Sequence, residues 1–343
     1  MTNPYEGLAD TAFWRTAVAE QPPLYTDELY SPRFRVPKAA KIFTAGSCFA
    51  QHVGRALREN GFDVLDAEAA PVSVSDRLAQ QYGYRMYSAR FGNIYTVRQM
   101  LQLMREASGH FTPAVPVWRK GESFFDSQRP SVEPDGLPSE EIVLAHRAKH
   151  LKRVLAAVEA ADVFVFTLGL TECWIHKETG DVYPTAPGTI AGEFDPDIYE
   201  FKNLTVDEVF RSFVQFRRHI RRIRPSARFL LTVSPVPLTA TRSGQHIQLA
   251  STYSKAVLRA ACGQAYDRFR DVDYFPSYEI ITSPSNHGVY FAANKRSVTP
   301  QGVAAAMDAF IAAQGPIVRP ARKTKATHEA QCEDSLLEAF GRP

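Results

Sequence analysis

The sequence is short of most features that announce a specialised class. Only four cysteines occur in 343 residues. They are too few and too scattered for a disulfide framework, so free thiols in a reducing, cytoplasmic setting are expected. No apolar run reaches the roughly 18 residues of a membrane helix, so no membrane span is expected. The opening MTNPYEGLADTAFW lacks the basic start and apolar core of a secretory signal. Neither sign of charge dominates: 40 Lys+Arg stand against 37 Asp+Glu. That balance gives no electrostatic reason to expect nucleic acid as a partner. Glycine-rich phosphate loops of the Walker and dinucleotide types are missing, and no cofactor is indicated. What remains is ordinary globular usage, with 45% hydrophobic and 22% charged residues.

The pattern inside the chain alternates strand and helix. Residues 1–38, rich in Pro, Tyr and charge, read as an arm lying across a domain, with Phe13, Trp14, Tyr25 and Phe34 as aromatic anchors. Residues 39–318 read as that domain. Residues 319–343 read as a mobile polar tail with a short helix at 334–340. Short apolar runs at 41–45, 62–65, 162–168, 228–234 and 272–275 have strand length. Helices are expected at 49–60, 97–106, 139–160, 206–224, 251–268 and 300–313. Thr205 with Glu208 makes a capping box, and Thr299-Pro300 makes a helix start. Continuously apolar strands separated by helices imply an α/β fold, a mostly parallel sheet covered on both faces in three layers. The stretch 109–138 is too long for a plain connection. It is expected to be a lid or binding loop, with Trp118, Phe124 and Phe125 to line a pocket.

In an open parallel sheet, ligands collect at the carboxyl ends of the strands. Five rims follow the five strands. They carry Gly46-Ser47-Cys48, then Gly92-Asn93, then Gly169-Leu170-Thr171-Glu172, then a segment reaching His246, then one reaching His287. The first rim is the most informative. A glycine lets the chain turn out of a strand, and the helix that follows presents N–H groups and a positive dipole end to its first residues. A thiol there is activated, and an oxyanion there is stabilised. The plain alternative is a serine N-cap beside a buried small residue.

The strings FTAGSCFAQHVGRAL, FGNIYTVRQMLQL, LGLTECWIHKETGDVYPTAP, LLTVSPVPLTAT, TYSKAVLRA and YFPSYEIIT resemble, in order, the blocks of the GSCFA family. That family in turn resembles the SGNH/GDSL hydrolases, whose fold is a flavodoxin-like three-layer α/β/α sandwich and whose members act on ester bonds. The resemblance implies Cys48 at the nucleophile position and Ser47 at the neighbouring aspartate position, with Ser47 itself as the alternative nucleophile. It implies Gly92 and Asn93 at the second oxyanion block and Thr171, beside Glu172, at the third.

The sequence also departs from that pattern. Where the superfamily ends with Asp-x-x-His, this chain has Asn294-Lys295-Arg296-Ser297. A base must come from elsewhere; His246, His287 and His52, one helical turn beyond Cys48, are the candidates. His146 and His150 are four apart, but the segment HRAKHLKR reads as a solvated basic face and no metal site is expected. The arginines 217, 218, 221, 222 and 224 suit a helix C-terminus. Cys173 reads as a packing residue. The expected function is that of an acyl esterase or O-acyltransferase working through a covalent acyl-enzyme. Its substrate is a small-molecule or carbohydrate ester, with an acyl donor if the reaction is transfer. The alternative is a non-catalytic carbohydrate-binding or polysaccharide-assembly module on the same frame.

Overall fold

The computed structural model describes residues 4–315. The expected tail from 319 and its helix at 334–340 lie outside the described residues. In chain order the elements are strand β1 (Ile42–Gly46) and helices α1 (Phe49–Glu59), α2 (Asp76–Gln81) and α3 (Val97–Ala107). Strands β2 (Val117–Lys120) and β3 (Ser123–Asp126) and helix α4 (Glu140–Ala160) follow. Next come strands β4 (Val163–Leu168), β5 (Glu172–His176), β6 (Val182–Tyr183) and β7 (Tyr199–Asn203), then helix α5 (Val206–Ile223). Strand β8 (Arg228–Val233), helix α6 (Ile247–Arg268), strand β9 (Val272–Tyr274) and helices α7 (Ser277–Thr282) and α8 (Pro300–Ala313) complete the chain.

Four strands make the central sheet, in the order β1-β4-β8-β9, all parallel. The expected strand at 62–65 is reduced to a single parallel bridge, Ile42 to Val64, on the free side of β1. Counting that bridge as a reduced second strand, the order is 2-1-3-4-5, that of a doubly wound flavodoxin-like sheet. Side chains alternate cleanly between two cores. Phe43, Phe164, Phe166, Phe229 and Leu231 enter the core under α3, α4, α5 and α6. Ile42, Val163, Val165 and Leu230 enter the other, with α1, α7 and α8. Both faces are therefore covered, and the fold is a three-layer α/β/α sandwich.

The helix starts follow the local sequence. The Thr205 capping box forms, and Thr299 accepts the Gly302 N–H ahead of Pro300. Helix α6 begins earlier than expected. His246 is its N-cap, with Nδ1 accepting the Gln248 N–H at 3.2 Å.

The stretch 109–138 is no open loop. It carries the antiparallel hairpin β2–β3. Trp118 stacks on Tyr183 at 5.4 Å, and Phe125 joins the same small core. Phe124 packs under the Arg119 guanidinium instead. The expectation of a lid lined by these rings gives way, because the apolar area of Trp118 and Phe125 is used in a third core. That core sits against a second antiparallel sheet, β6-β5-β7.

A buried ionic cluster pins the hairpin to the helices. Arg147 of α4 donates to both carboxylate oxygens of Asp126 (2.9 and 3.0 Å) and, bidentately, to Glu106 of α3. Arg129 also donates to Asp126 at 2.7 Å. His150, only 1% exposed, holds Glu68 at 2.7 Å. The segment HRAKHLKR is thus a solvated face only in part: Lys149, Lys152 and Arg153 are exposed, but Arg147 and His150 are buried. Three of the arginines expected at the helix end form ion pairs: Arg217 and Arg221 of α5 with Asp271, and Arg224, its C-cap, with Asp162.

The N-terminal arm crosses the β9 edge. Tyr30 stacks edge-on against Phe275 and donates to Asp273 at 2.9 Å. Arg33 donates to the carbonyls of Phe269 (2.8 Å) and Val272 (3.1 Å). The Val36 N–H reaches Gln314 at 2.8 Å. Phe34 packs on the second core as expected. Phe13 and Trp14 do not serve as anchors; Trp14 is 68% exposed.

Candidate functional site

In a 2-1-3-4-5 sheet the chain winds in opposite directions on either side of the boundary between β1 and β4. A crevice opens there, outside the carboxyl ends of the strands. The structure has a small, half-open cleft at that place. Ser47 and Cys48 enter it from the end of β1, Gly169 and Leu170 from β4, and Ser234, Val236, Pro237 and Leu238 from the segment after β8, with Tyr95 beside them.

The first rim is set by close backbone approach. Gly46 has φ +143°, and a Cβ there would lie 2.4 Å from the Thr167 carbonyl, so no other residue fits. The Ser47 N–H then donates to Thr167 O at 3.1 Å, and the chain turns into α1. Cys48 is the N-cap, buried, with helical backbone angles. The first helical bonds are made by Ala50 onto Ser47 O (2.8 Å) and Gln51 onto Cys48 O (3.1 Å). The N–H groups of Cys48 and Phe49 therefore lie ahead of the helix ladder, at its positive end. Ser47 Oγ is buried and has no hydrogen-bond partner among the described residues.

The second rim is locked by Tyr87 and Gln99. The Tyr87 hydroxyl meets Asn93 Oδ1 and lies 3.2 Å from Ser47 O, while Gln51 Nε2 reaches that hydroxyl at 3.3 Å. Gln99 accepts the Tyr95 N–H (2.9 Å) and donates to Asn93 O (3.0 Å). Held by its carbonyl oxygen, Asn93 keeps its NH2 end turned away from Tyr87. Gly92 supplies the left-handed turn, φ +68°, that feeds this loop.

The third rim spends its own donors. The N–H groups of Gly169 (3.0 Å) and Leu170 (3.3 Å) both go to Tyr95 O. The Thr171 N–H goes to Ser254 Oγ at 3.0 Å, and its hydroxyl donates to Asn203 at 2.6 Å. Thr171 is thus placed one residue behind the cleft and committed to the fold. Glu172 accepts from the Thr241 hydroxyl at 2.5 Å, and burial raises its pKa. It ties the start of β5 to the segment after β8.

The histidines fall elsewhere. His246 is exposed at the α6 N-cap, and His287 is exposed in a left-handed turn, φ +49°. Neither lines the cleft. His52 packs on Phe49 at 5.8 Å; burial, with Arg55 nearby, lowers its pKa to about 4. Asn294-Lys295-Arg296-Ser297 folds as an Asn-capped turn. Its Arg296 donates to the Pro237 carbonyl, on the cleft wall, at 3.2 Å. Cys173 is buried in β5 and burial pushes its thiol up to about 12. Among the described residues no three His, Cys, Asp or Glu side chains gather as metal ligands.

Sequence reasoning passed over Tyr87, Tyr95 and Lys255. Lys255 is 4% exposed, and its Nζ donates to the Gly169 carbonyl at 2.6 Å. Its signal was present in the sequence. Ser251, Ser254, Lys255, Leu258 and Cys262 follow the spacing of one buried helix face. A charge on that face is the exception that marks a site.

Fold and cleft together define a doubly wound α/β protein with a thiol at the switch point of its sheet. The chain belongs to the GSCFA family, whose sequence model matches residues 41–310. No curated protein and no solved structure matches it. No helix among the described residues is long and apolar enough to cross a membrane.

Proposed function

We propose that this chain is an SGNH-like acyl esterase or O-acyltransferase in which Cys48 is the nucleophile. The observation that carries this reading is the position of Ser47 and Cys48: on the turn from β1 into α1, in the cleft at the sheet's switch point. Cys48 Sγ attacks the ester carbonyl, the C–O bond to the alcohol breaks, and a thioester forms. The thiol proton leaves with the departing alcohol, so acylation is proton-neutral overall. Water or an acceptor hydroxyl then attacks the thioester, returns a proton to Cys48 and releases an acid or a new ester. The N–H groups at the head of α1 and the amide of Asn93 are the donors for the oxyanion, since the third rim's N–H groups are internally bonded. An acylated carbohydrate or related ester is the substrate class. The three described cysteines are free thiols. That supports a cytoplasmic setting.

The test is the intact mass of the protein after exposure to p-nitrophenyl acetate at neutral pH, with Cys48→Ala and Ser47→Ala alongside. One acetyl adduct, lost in Cys48→Ala and kept in Ser47→Ala, is the expected result. Loss only in Ser47→Ala moves the nucleophile by one residue. The exposed positions of His246 and His287, away from the cleft lining, favour the second reading, a carbohydrate-binding or polysaccharide-assembly module. A wild type that forms no adduct and turns over no ester supports that module instead.

A further inference from the structure

Three things meet at the Gly169 turn. A Cβ at Gly169 would lie 2.8 Å from the Ser47 Cβ and 3.1 Å from the Tyr95 ring, so this turn is the wall against which the Ser47-Cys48 turn is packed. The Gly169 carbonyl receives the Lys255 ammonium at 2.6 Å. Next to Lys255 on α6, Ser254 holds the Thr171 N–H. Two successive residues of one helix thus fix both ends of a three-residue rim. A carbonyl alone would be held as well by an amide or a hydroxyl. A lysine there places a full charge in a dry wall, at a cost that a purely structural contact does not require.

We propose that Lys255 is the positioning cation of the thiol cleft, supplying from α6 the positive charge that favours the Cys48 thiolate in a chain that lacks the Asp-x-x-His base. This rests on the reading that Cys48 is the reactive group. A second observation points into the same cleft: Ser47 Oγ, next to that thiol, is buried, lines the cleft and has no partner among the described residues. Other titratable and charged groups on elements around the cleft include His52, Arg55 and Arg58 of α1, Tyr87 and Tyr95 of the second rim, Glu172 of β5, Arg259 of α6 and Arg296 of the 294–297 turn; Arg58 donates to the Arg85 carbonyl and Arg259 to Glu279. His52 is neutral near pH 7 because burial lowers its pKa to about 4. Glu172 is turned to Thr241. Arg55 and Arg296 are partly exposed, so water and salt screen them more than Lys255. Lysine is the cation at the rim with least water around it, where charge acts most strongly.

The experiment reads the thiol, not the esterase. Alkylation of Cys48 by iodoacetamide is followed against pH, with the label assigned by peptide mapping, in wild type, Lys255→Gln and Lys255→Arg. Gln keeps a donor for the Gly169 carbonyl without the charge; Arg keeps the charge. The expected wild-type midpoint lies below the ordinary thiol value of about 8.5. In Lys255→Gln it rises by about one pH unit or more, a tenfold slower reaction at any pH below both midpoints, while Lys255→Arg stays near wild type. A Gln variant that titrates like wild type overturns the proposal. So does a wild-type midpoint at or above about 8.5, which needs no variant to fold. Failure of the acyl-enzyme is separable. A Lys255-dependent midpoint without any acetyl adduct removes the esterase and keeps the cation. An adduct with a Lys255-independent midpoint does the reverse.

Discussion

The molecule buries polar groups in two places and uses them in opposite ways. Under the hairpin, Arg147, Arg129, Glu106 and Asp126 bond to one another, and Glu68 bonds to His150. The charges there are opposed at bonding distance. Two nitrogens are left over, Gln128 Nε2 and His150 Nε2, and both residues line one small void. In the cleft the rims are fixed from behind, by Tyr87, Gln99, Ser254 and Lys255, while the front keeps a thiol and an unpartnered serine hydroxyl. A cluster that locks structure satisfies its charges mutually, even where a neutral nitrogen is left over. A cluster poised for chemistry is satisfied only on the side away from the substrate.

That contrast can be broken by experiment. The largest expected effect is chemical: Cys48→Ala removes the acetyl adduct completely, yet costs only about 1 kcal/mol in urea unfolding. If it instead unfolds the protein, the cleft is structural like the cluster. Next comes Arg147→Met, which strands the buried Glu106 carboxylate and leaves Asp126 with Arg129 alone, and should cost about 3–5 kcal/mol, read from the urea midpoint. Where the variant stays folded, its adduct formation should match wild type.

The pH dependence is third. Burial, with Arg129 beside the ring, outweighs Glu68 and lowers His150 to about 4, and His52 is lowered similarly. Between about pH 6.5 and 4 the unfolded chain binds protons that these folded rings refuse. Stability therefore falls as pH falls through that window. Urea midpoints at pH 7, 5.5 and 4.5 test this, and His52→Gln should flatten part of the slope. A level profile from pH 7 to 5 would refute it.

Gly169→Ala tests the wall of the cleft itself. Its methyl meets Ser47, so about 1–3 kcal/mol of overpacking should appear together with slower adduct formation. A loss of stability with unchanged adduct rate would detach this wall from the cleft. Smallest of all, Arg224→Ala breaks a half-open pair with Asp162. It should cost no more than about 1 kcal/mol in the same titration and leave adduct formation unchanged.

Much of the central sheet was legible in the sequence because its strands are continuous apolar runs between capped helices. The run at 228–234 became β8, and Thr205 with Glu208 opened α5 as written. The antiparallel strands were not. Trp174 and Glu172 of β5 alternate with Cys173 and Ile175, but five residues of alternation between turns are too few to stand out. The run 62–65 carried strand composition, yet it pairs through only one bridge, an outcome set by tertiary neighbours. Of the candidate site, Ser47 and Cys48 stood out through the glycine, the strand end and the helix start. His246 and His287 did not reach the cleft. A loop position after a strand says which edge of the sheet a residue belongs to, not where its side chain goes. Lys255 was legible only through the helix period, as a charge on a face of small and apolar residues, and lies outside the strand rims where ligands were sought.

The arm that closes the β9 edge has a consequence in time. Its bonds span 243 residues from Tyr30 to Asp273 and 278 from Val36 to Gln314. Synthesis at about 5–20 residues per second leaves the arm without its seat for roughly 12–50 seconds after Tyr30 is made. Throughout that interval the rings of Tyr30 and Phe34 have no core to enter and are open to any chaperone that binds aromatic segments. The arm is thus a clasp that shuts only once β9 and α8 have been made, and protease resistance at residues 30–36 would date that moment.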